Sequence, residues 1–290
     1  MLTCFFVTDL HGNLSRYSRL FKEIESQKPD IVLIGGDILP NPFRVNKTGQ
    51  HIVIEDFIEN YLLKKLRVLK DKLRDKYPEI LVILGNDDVR TAENQIKAAE
   101  TEGLWKYLHN RKTFLKGYDF YGYSYVPPTP FRLKDWEKYD VSRYVDPGCI
   151  HPAEGLKTVD IDNEDFQWDT IKKDLDKLVG ENDLSKAIFL FHTPPYKTKL
   201  DRAALDGIKY DSVPLDVNVG SIAVKNLIDD KQPLITLHGH IHESSRITGE
   251  WKEVFGNTLS INAAFEGIEL ALVKIIIDKE IYTERFLLKE

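Results

Sequence analysis

A chain of 290 residues with 42% hydrophobic side chains is long enough for a substantial core, and its formal charge of -6 argues against a general nucleic-acid-binding surface. The two cysteines, Cys4 and Cys149, make no disulfide framework, and no apolar stretch is long enough to span a bilayer. The N-terminus enters a strand without a basic region or cleavage site, and no linker or repeat divides the chain, so one cytoplasmic domain over residues 1–290 is expected.

The first part alternates strand and helix. Residues 3–8 read as a strand and Leu14–Gln27 as a helix, with Leu14, Tyr17, Leu20, Phe21 and Ile24 at helical spacing. Pro29-Asp30 opens a second strand. Residues 51–76 predict a long amphipathic helix with Phe57, Tyr61, Leu62, Leu66, Leu69 and Leu73 on one face, ended by Pro78 before a third strand. Residues 92–109 predict another helix. Residues 118–125 are aromatic and strand-like and run into Pro127-Pro128-Thr129-Pro130. Helices follow over residues 166–179 and 220–230, each before an apolar run. From Glu250 on, Thr258–Asn262, residues 268–278 and residues 281–287 read as strands whose alternation suits antiparallel pairing. An α/β start with β-rich additions gives two sheets flanked by helices.

Each buried-strand pattern ends in a chemically marked turn: Asp9-Leu10-His11-Gly12, Gly35-Gly36-Asp37, Gly85-Asn86-Asp87-Asp88, Phe191-His192 and Gly239-His240-Ile241-His242. Ligands of open α/β sheets gather outside the carboxyl ends of strands, so distant segments can converge on one site. Asp, Asn and neutral His suit divalent ions of intermediate hardness such as Mn, Fe(II) or Zn. A carboxylate can bridge two ions, and Asp37, between the other motifs, is the natural bridge. Asn86 offers a neutral oxygen, which limits the negative charge that would repel phosphate. Taken singly, each motif has a plainer reading: a helix cap, a tight turn, a structural His pair, a hydrogen-bonded strand end. The order and the shared position at strand ends favour the metal reading.

With these motifs the chain resembles the calcineurin-like metallophosphoesterases. Asp9-X-His11, Gly36-Asp37, Gly85-Asn86, His192 and Gly239-His240-X-His242 reproduce the ordered signature across most of the chain. The resemblance implies a four-layer α-β-β-α sandwich of two mixed sheets and a centre of two divalent ions. By position, Asp9, His11, Asp37 and His242 would hold the first ion, and Asp37, Asn86, His192 and His240 the second. It also implies a hydrolase acting on a small phosphodiester, nucleotide or phosphomonoester, with a hydroxide generated between the ions as nucleophile.

Two departures bear on mechanism. Many relatives carry His directly after the motif Asn, at the leaving group or phosphate; here Asp87 stands there, and an ordinary Asp is ionised at pH 7. His238, two residues before His240, is a substitute proton donor, against the plainer reading of a buried strand residue; His51 and His151 have weaker claims. Asp88 is read as orienting a ligand His from behind. Protein Ser/Thr phosphatases of the family carry Asp-Arg-Gly after the second motif, whereas Gly36-Asp37 here precedes Ile38-Leu39-Pro40, with Arg44 further on. The chain therefore looks unlike those phosphatases.

Residues 127–140, with Phe131, Arg132, Trp136 and Tyr139, and residues 194–220, with Tyr196, Lys197, Lys199, Asp201, Arg202 and Tyr210, are long irregular segments, at least one of which is expected to wall the pocket. Asn262 either faces the site or caps a turn. The alternatives to a phosphoesterase are a non-catalytic metal-binding scaffold for protein interaction, which the missing motif His favours, and a nuclease, which the acidic balance disfavours.

Overall fold

The computed structural model describes residues 1–41, 54–160 and 169–289. Two six-stranded sheets lie face to face. In the first, β1 (Leu2–Val7), β2 (Ile31–Gly35), β3 (Glu79–Ile83) and β4 (Lys106–Tyr107) are parallel, while β13 (Leu270–Ile277) and β14 (Ile281–Leu288) complete the sheet antiparallel. In the second, β6 (Tyr118–Tyr123), β7 (Ala187–Phe191), β10 (Ile235–His238) and β12 (Thr258–Asn262) are parallel, with β5 (Arg111–Leu115) and β11 (Lys252–Phe255) antiparallel at the edges. The strand orders are β14-β13-β1-β2-β3-β4 and β11-β12-β10-β7-β6-β5, so both sheets are mixed. β8 (Lys209–Tyr210) and β9 (Val213–Pro214) form a small separate hairpin.

Side-chain alternation explains the layering. On β1, Leu2, Cys4 and Phe6 join Leu33, Leu81, Ile188, Leu190 and Leu237 in a core between the sheets, while Phe5 and Val7 point to the outer core under the helices. A strand covered on both faces must be apolar throughout, and β2 and β7 are buried at every position. The helices supply the outer layers. In α1 (Leu14–Gln27), Asn13 caps the first turn by accepting from the Ser15 and Arg16 amides, and Tyr17, Leu20 and Ile24 are buried. The predicted 51–76 helix is described from Ile54: α2 (Ile54–Asp56) continues through a π-helical stretch (Phe57–Leu63) into α3 (Lys64–Leu73). The predicted helix over residues 92–109 is a correction. Only α4 (Glu93–Ala98) forms; the chain turns through Gly103 at φ +63, and Lys106–Tyr107 then joins the sheet beside β3. A glycine in the left-handed region is a helix stop, and Leu104 and Trp105 are buried as connections rather than as a helix face.

α5 (Ile171–Val179), capped by Thr170, and α6 (Ile222–Lys231), capped by Ser221, cover the second sheet. Among the described residues no helix is long and apolar enough to cross a membrane. The predicted antiparallel character of Thr258–Asn262 holds toward β11 but not toward β10, where the pairing is parallel.

Candidate metal centre

The motifs converge at the carboxyl ends of β1, β2, β3, β7 and β10. Backbone pairing between the first two motifs continues past the strands: the amides of Asp9, His11 and Gly12 donate to the carbonyls of Gly36, Asp37 and Ile38. Holding that pairing while the chain turns puts Asp9, His11 and Asp37 in the left-handed region, at φ +55, +48 and +50, and His240, after β10, is there too at φ +71. Such positions cost on the order of 1 kcal/mol or more each, and Asp and His tolerate them better than most residues. Glycines let the turns close in. A Cβ on Gly85 would lie 2.6 Å from the Asp37 amide nitrogen, and one on Gly239 2.6 Å from Asp9 Oδ2.

The result is a compact set of donors. His242 Nε2 lies 3.0 Å from Asp9 Oδ1 and 3.4 Å from His11 Nε2. His192 Nε2 lies 3.0 Å from Asn86 Oδ1 and 3.3 Å from Asp37 Oδ2. The His240 amide donates to both Asp9 oxygens at 3.2 Å, and its ring centre is 5.3 Å from that of His192. Three overlapping groups, Asp9–His11–His242, Asp9–Asp37–His192 and His11–Asp37–Asp87, each bring their ligand atoms within 4.8 Å of one another. The seven residues marked in the sequence are therefore neighbours, although they span positions 9 to 242.

The donor set fits a divalent cation. The Gly35 carbonyl can only accept, so His192 Nδ1, at 2.8 Å, carries a proton. Its Nε2 then faces two oxygen acceptors, and that contact needs a positive charge between the atoms, either a second proton or a metal ion. With protein groups alone the proton fills this role: burial opposes it, but Asp37 and then Asp9 push His192 up to about 10. Burial likewise opposes ionisation of Asp9 and Asp37, yet His242 and His192 respectively hold the two carboxyls below their usual range. Burial, reinforced by His192, keeps His240 neutral at about 3, as a ligand imidazole must be.

Asp87 and Asp88 have different settings. Asp88 is fully buried and accepts from the amides of Leu39 (2.7 Å), Gly85 (2.9 Å) and Ile38 (3.2 Å). It ties the second motif to the third, and these backbone bonds replace the expected contact to a ligand His. Asp87 opens into the cleft; its amide donates to Asp37 Oδ1 at 2.8 Å and its Oδ2 lies 3.7 Å from His11 Nδ1. Burial and then Asp37 raise its carboxyl to about 7, a direction that cations beside Asp37 would oppose.

His238 is not brought to the cleft. It is fully buried, with Nδ1 2.8 Å from the Thr193 carbonyl, Nε2 2.8 Å from Thr236 Oγ1 and its ring stacked on Phe191. Both ring nitrogens are spent inside the sheet, so the plainer reading replaces the proton-donor expectation. His151 meets the Tyr139 hydroxyl, and His51 and Arg44 lie outside the described residues. Asn262 faces inward: its amide donates to the carbonyls of Leu200 and Ile241, and its oxygen accepts from Ala264.

Over the donors lies a cleft of about 630 Å³, lined by five of the ligand candidates (His11, Asp37, Asn86, His240 and His242) and by Asp87, Asn41, Phe131, Arg132, Leu133, Leu156 and Glu243. Of the two irregular segments, residues 127–140 contribute to this lining; residues 194–220 do not, and Asp201 there caps its own loop by accepting from Thr198 and Gly220 amides. Leu156 and Glu243 carried no signal that singled them out. Leu156 arrives through a bridge to Leu133, with the Lys134 and Leu156 amides donating to the carbonyls of Leu156 and Arg132, both at 2.7 Å. Glu243 follows from its place beside His242.

A family model described as calcineurin-like phosphoesterase matches residues 2–244, and the chain belongs to that family. Comparison with curated protein sequences gives no match. Among solved structures, a protein from Thermus thermophilus is 17% identical with a TM-score of 0.54, covering 98% of both chains. A dimetal phosphatase from Danio rerio is 11% identical with a TM-score of 0.53, covering 98% of this chain and 95% of its own. The phosphopantetheinyl hydrolase from Mycobacterium tuberculosis is 12% identical with a TM-score of 0.50, covering 91% and 89%. At these identities the likeness is one of fold.

Proposed function

We propose that this protein is a dinuclear metal-dependent hydrolase of small phosphoesters, a phosphodiester, nucleotide or phosphomonoester. The observation that carries this reading is His192 Nε2 set against Asp37 Oδ2 and Asn86 Oδ1, an arrangement that asks for a cation. Asp9, His11, Asp37 and His242 would hold one ion and Asp37, Asn86, His192 and His240 the other, with Mn, Fe or Zn matching the mixture of imidazole and carboxylate. Two such ions, when bound, neutralise phosphoryl oxygens and acidify water, which is most of the chemistry of phosphoester hydrolysis. The chain's residues set the conditions for it. Neutral His240 and the neutral Asn86 amide keep the centre from accumulating negative charge. The backbone bonds of Asp88 fix the loops that present Asp37 and Asn86, and Asp87 faces the substrate volume beside His11.

The test is turnover of an aryl phosphodiester with added Mn, followed by a panel of monoesters, diesters and nucleotides. Asp37→Asn, which weakens both ion sites, is expected to lower turnover by more than the ~10–100-fold typical of losing an outer partner of a metal ligand. Asp87→His is expected to raise turnover of esters with poor leaving groups. Full metal loading with no turnover across the panel would sink the reading and leave the second one, a metal-binding scaffold, which Asp87 in the place of the family's His favours. The scaffold has no metal-dependent affinity for phosphate.

A further inference from the structure

The wall of the cleft is built more firmly than a loop needs to be for packing alone. Lys134 and Glu137 are both fully buried and pair at 2.5 Å, Lys134 also donates to the Thr129 carbonyl, and Glu137 accepts from the Thr129 amide at 2.7 Å. Asp135, equally buried, accepts from the Arg90 amide at 2.7 Å and the Thr158 amide at 2.8 Å. Trp136 is fully buried beneath the Arg90 guanidinium, 4.9 Å from its ring centre. Between these anchors the chain exposes Phe131 (59%) and Arg132, both lining the cleft, with Leu156 (47% exposed) beside them. Among the described residues, Arg132 is the only Lys or Arg lining the cleft, and its guanidinium has no hydrogen bond or ion pair.

An unpaired guanidinium on an anchored stretch of backbone, beside an exposed ring and across from a carboxylate-rich floor, is a recognition element for part of the substrate that is not hydrolysed. Arg forks match phosphate geometry, and an aromatic face accepts a planar ring. The cleft volume of about 630 Å³ suits a ligand the size of a nucleotide. Resting on the phosphoesterase reading above, we infer that Arg132 binds a second phosphate of the substrate while Phe131 stacks on its planar group, so the preferred substrates are phosphoesters of nucleotide type that carry a further phosphate.

The experiment uses a matched pair of chromogenic esters, thymidine 5′-(p-nitrophenyl phosphate) and the same compound bearing a 3′-phosphate, with the Mn-loaded protein. The ratio of their kcat/KM values is expected to favour the 3′-phosphate by about tenfold to a hundredfold, the range for a charge-assisted hydrogen bond. Arg132→Ala should bring that ratio close to one, Arg132→Lys should keep part of it, and Phe131→Ala should weaken both substrates without changing it. In parallel, calorimetry compares binding of thymidine 3′,5′-bisphosphate with thymidine 5′-monophosphate, which needs no turnover. A bisphosphate preference lost in Arg132→Ala supports the inference even if neither ester is hydrolysed, an outcome that would remove only the catalytic reading. Equal affinity for the two nucleotides, or a preference that survives Arg132→Ala, overturns it.

Discussion

The floor of the cleft takes its side chains from the ends of buried parallel strands, where backbone pairing continues into the turns and holds Asp9, His11 and Asp37 in left-handed conformations. The wall, residues 127–140, is instead tied down by isolated bridges at Val126–Glu137, Leu133–Leu156 and Tyr139–Thr170 and by buried charges. In the floor the sheets supply rigidity and the side chains are left free for chemistry. In the wall the side chains themselves supply rigidity, and Phe131 and Arg132 are what they leave exposed.

The largest effect should come from the wall's buried ion pair. Lys134→Met leaves Glu137 without its cation in a place where burial already lifts its carboxyl to about 7. The expected loss is about 3–5 kcal/mol in denaturant unfolding, with much of it regained in Lys134→Met/Glu137→Leu. A loss below about 1 kcal/mol would mean that packing, not charge, fixes the wall. Next is Gly85→Ala in the floor, whose methyl group would press on the Asp37 amide and His192. About 1–3 kcal/mol of destabilisation is expected, together with weaker Mn binding by calorimetry. Unchanged metal affinity would show that the floor has more slack than its geometry implies.

A smaller effect concerns His109, which accepts from the Ser124 amide at 3.0 Å and packs among Tyr123, Tyr125 and Trp136 behind the wall. Desolvation, then Arg90 and Lys138, hold it well below its ordinary value of 6.5. Below that pH the unfolded chain binds a proton that the folded chain refuses, so the contribution is present above 6.5 and lost as pH falls. Compared with His109→Gln, the wild-type chain should lose up to about 1.4 kcal/mol of relative stability per pH unit below 6.5. A pH-independent difference between the two would place the imidazole in contact with water.

This contrast also explains what could be read from the sequence. The floor was legible because parallel strands buried on both faces are continuous apolar runs, and the residues after them carry chemistry that plain turns lack. The α1 bounds were legible because Tyr17, Leu20 and Ile24 fall at helical spacing and Pro29-Asp30 follows, and the structure buries those three residues. The wall was not: Lys134, Asp135, Glu137 and Lys138 look like a solvated charge run, and nothing local says that Thr129, Thr158 and Asp174 will bury them. The helix over 92–109 failed for the related reason that Leu104 and Trp105 fill space between elements, which periodicity mistakes for a helix face.

The centre also joins the two sheets. Asp9, Asp37 and Asn86 follow strands of the first sheet, and His192, His240 and His242 follow strands of the second. A cation held by both groups is therefore a crosslink that only the folded chain can offer, and mass action makes thermal stability depend on how full the site is. At a hundredfold excess over its dissociation constant an ion adds about 2.7 kcal/mol. If the centre holds such an ion, chelation is expected to lower the melting temperature, which then gauges occupancy for any ion the centre accepts.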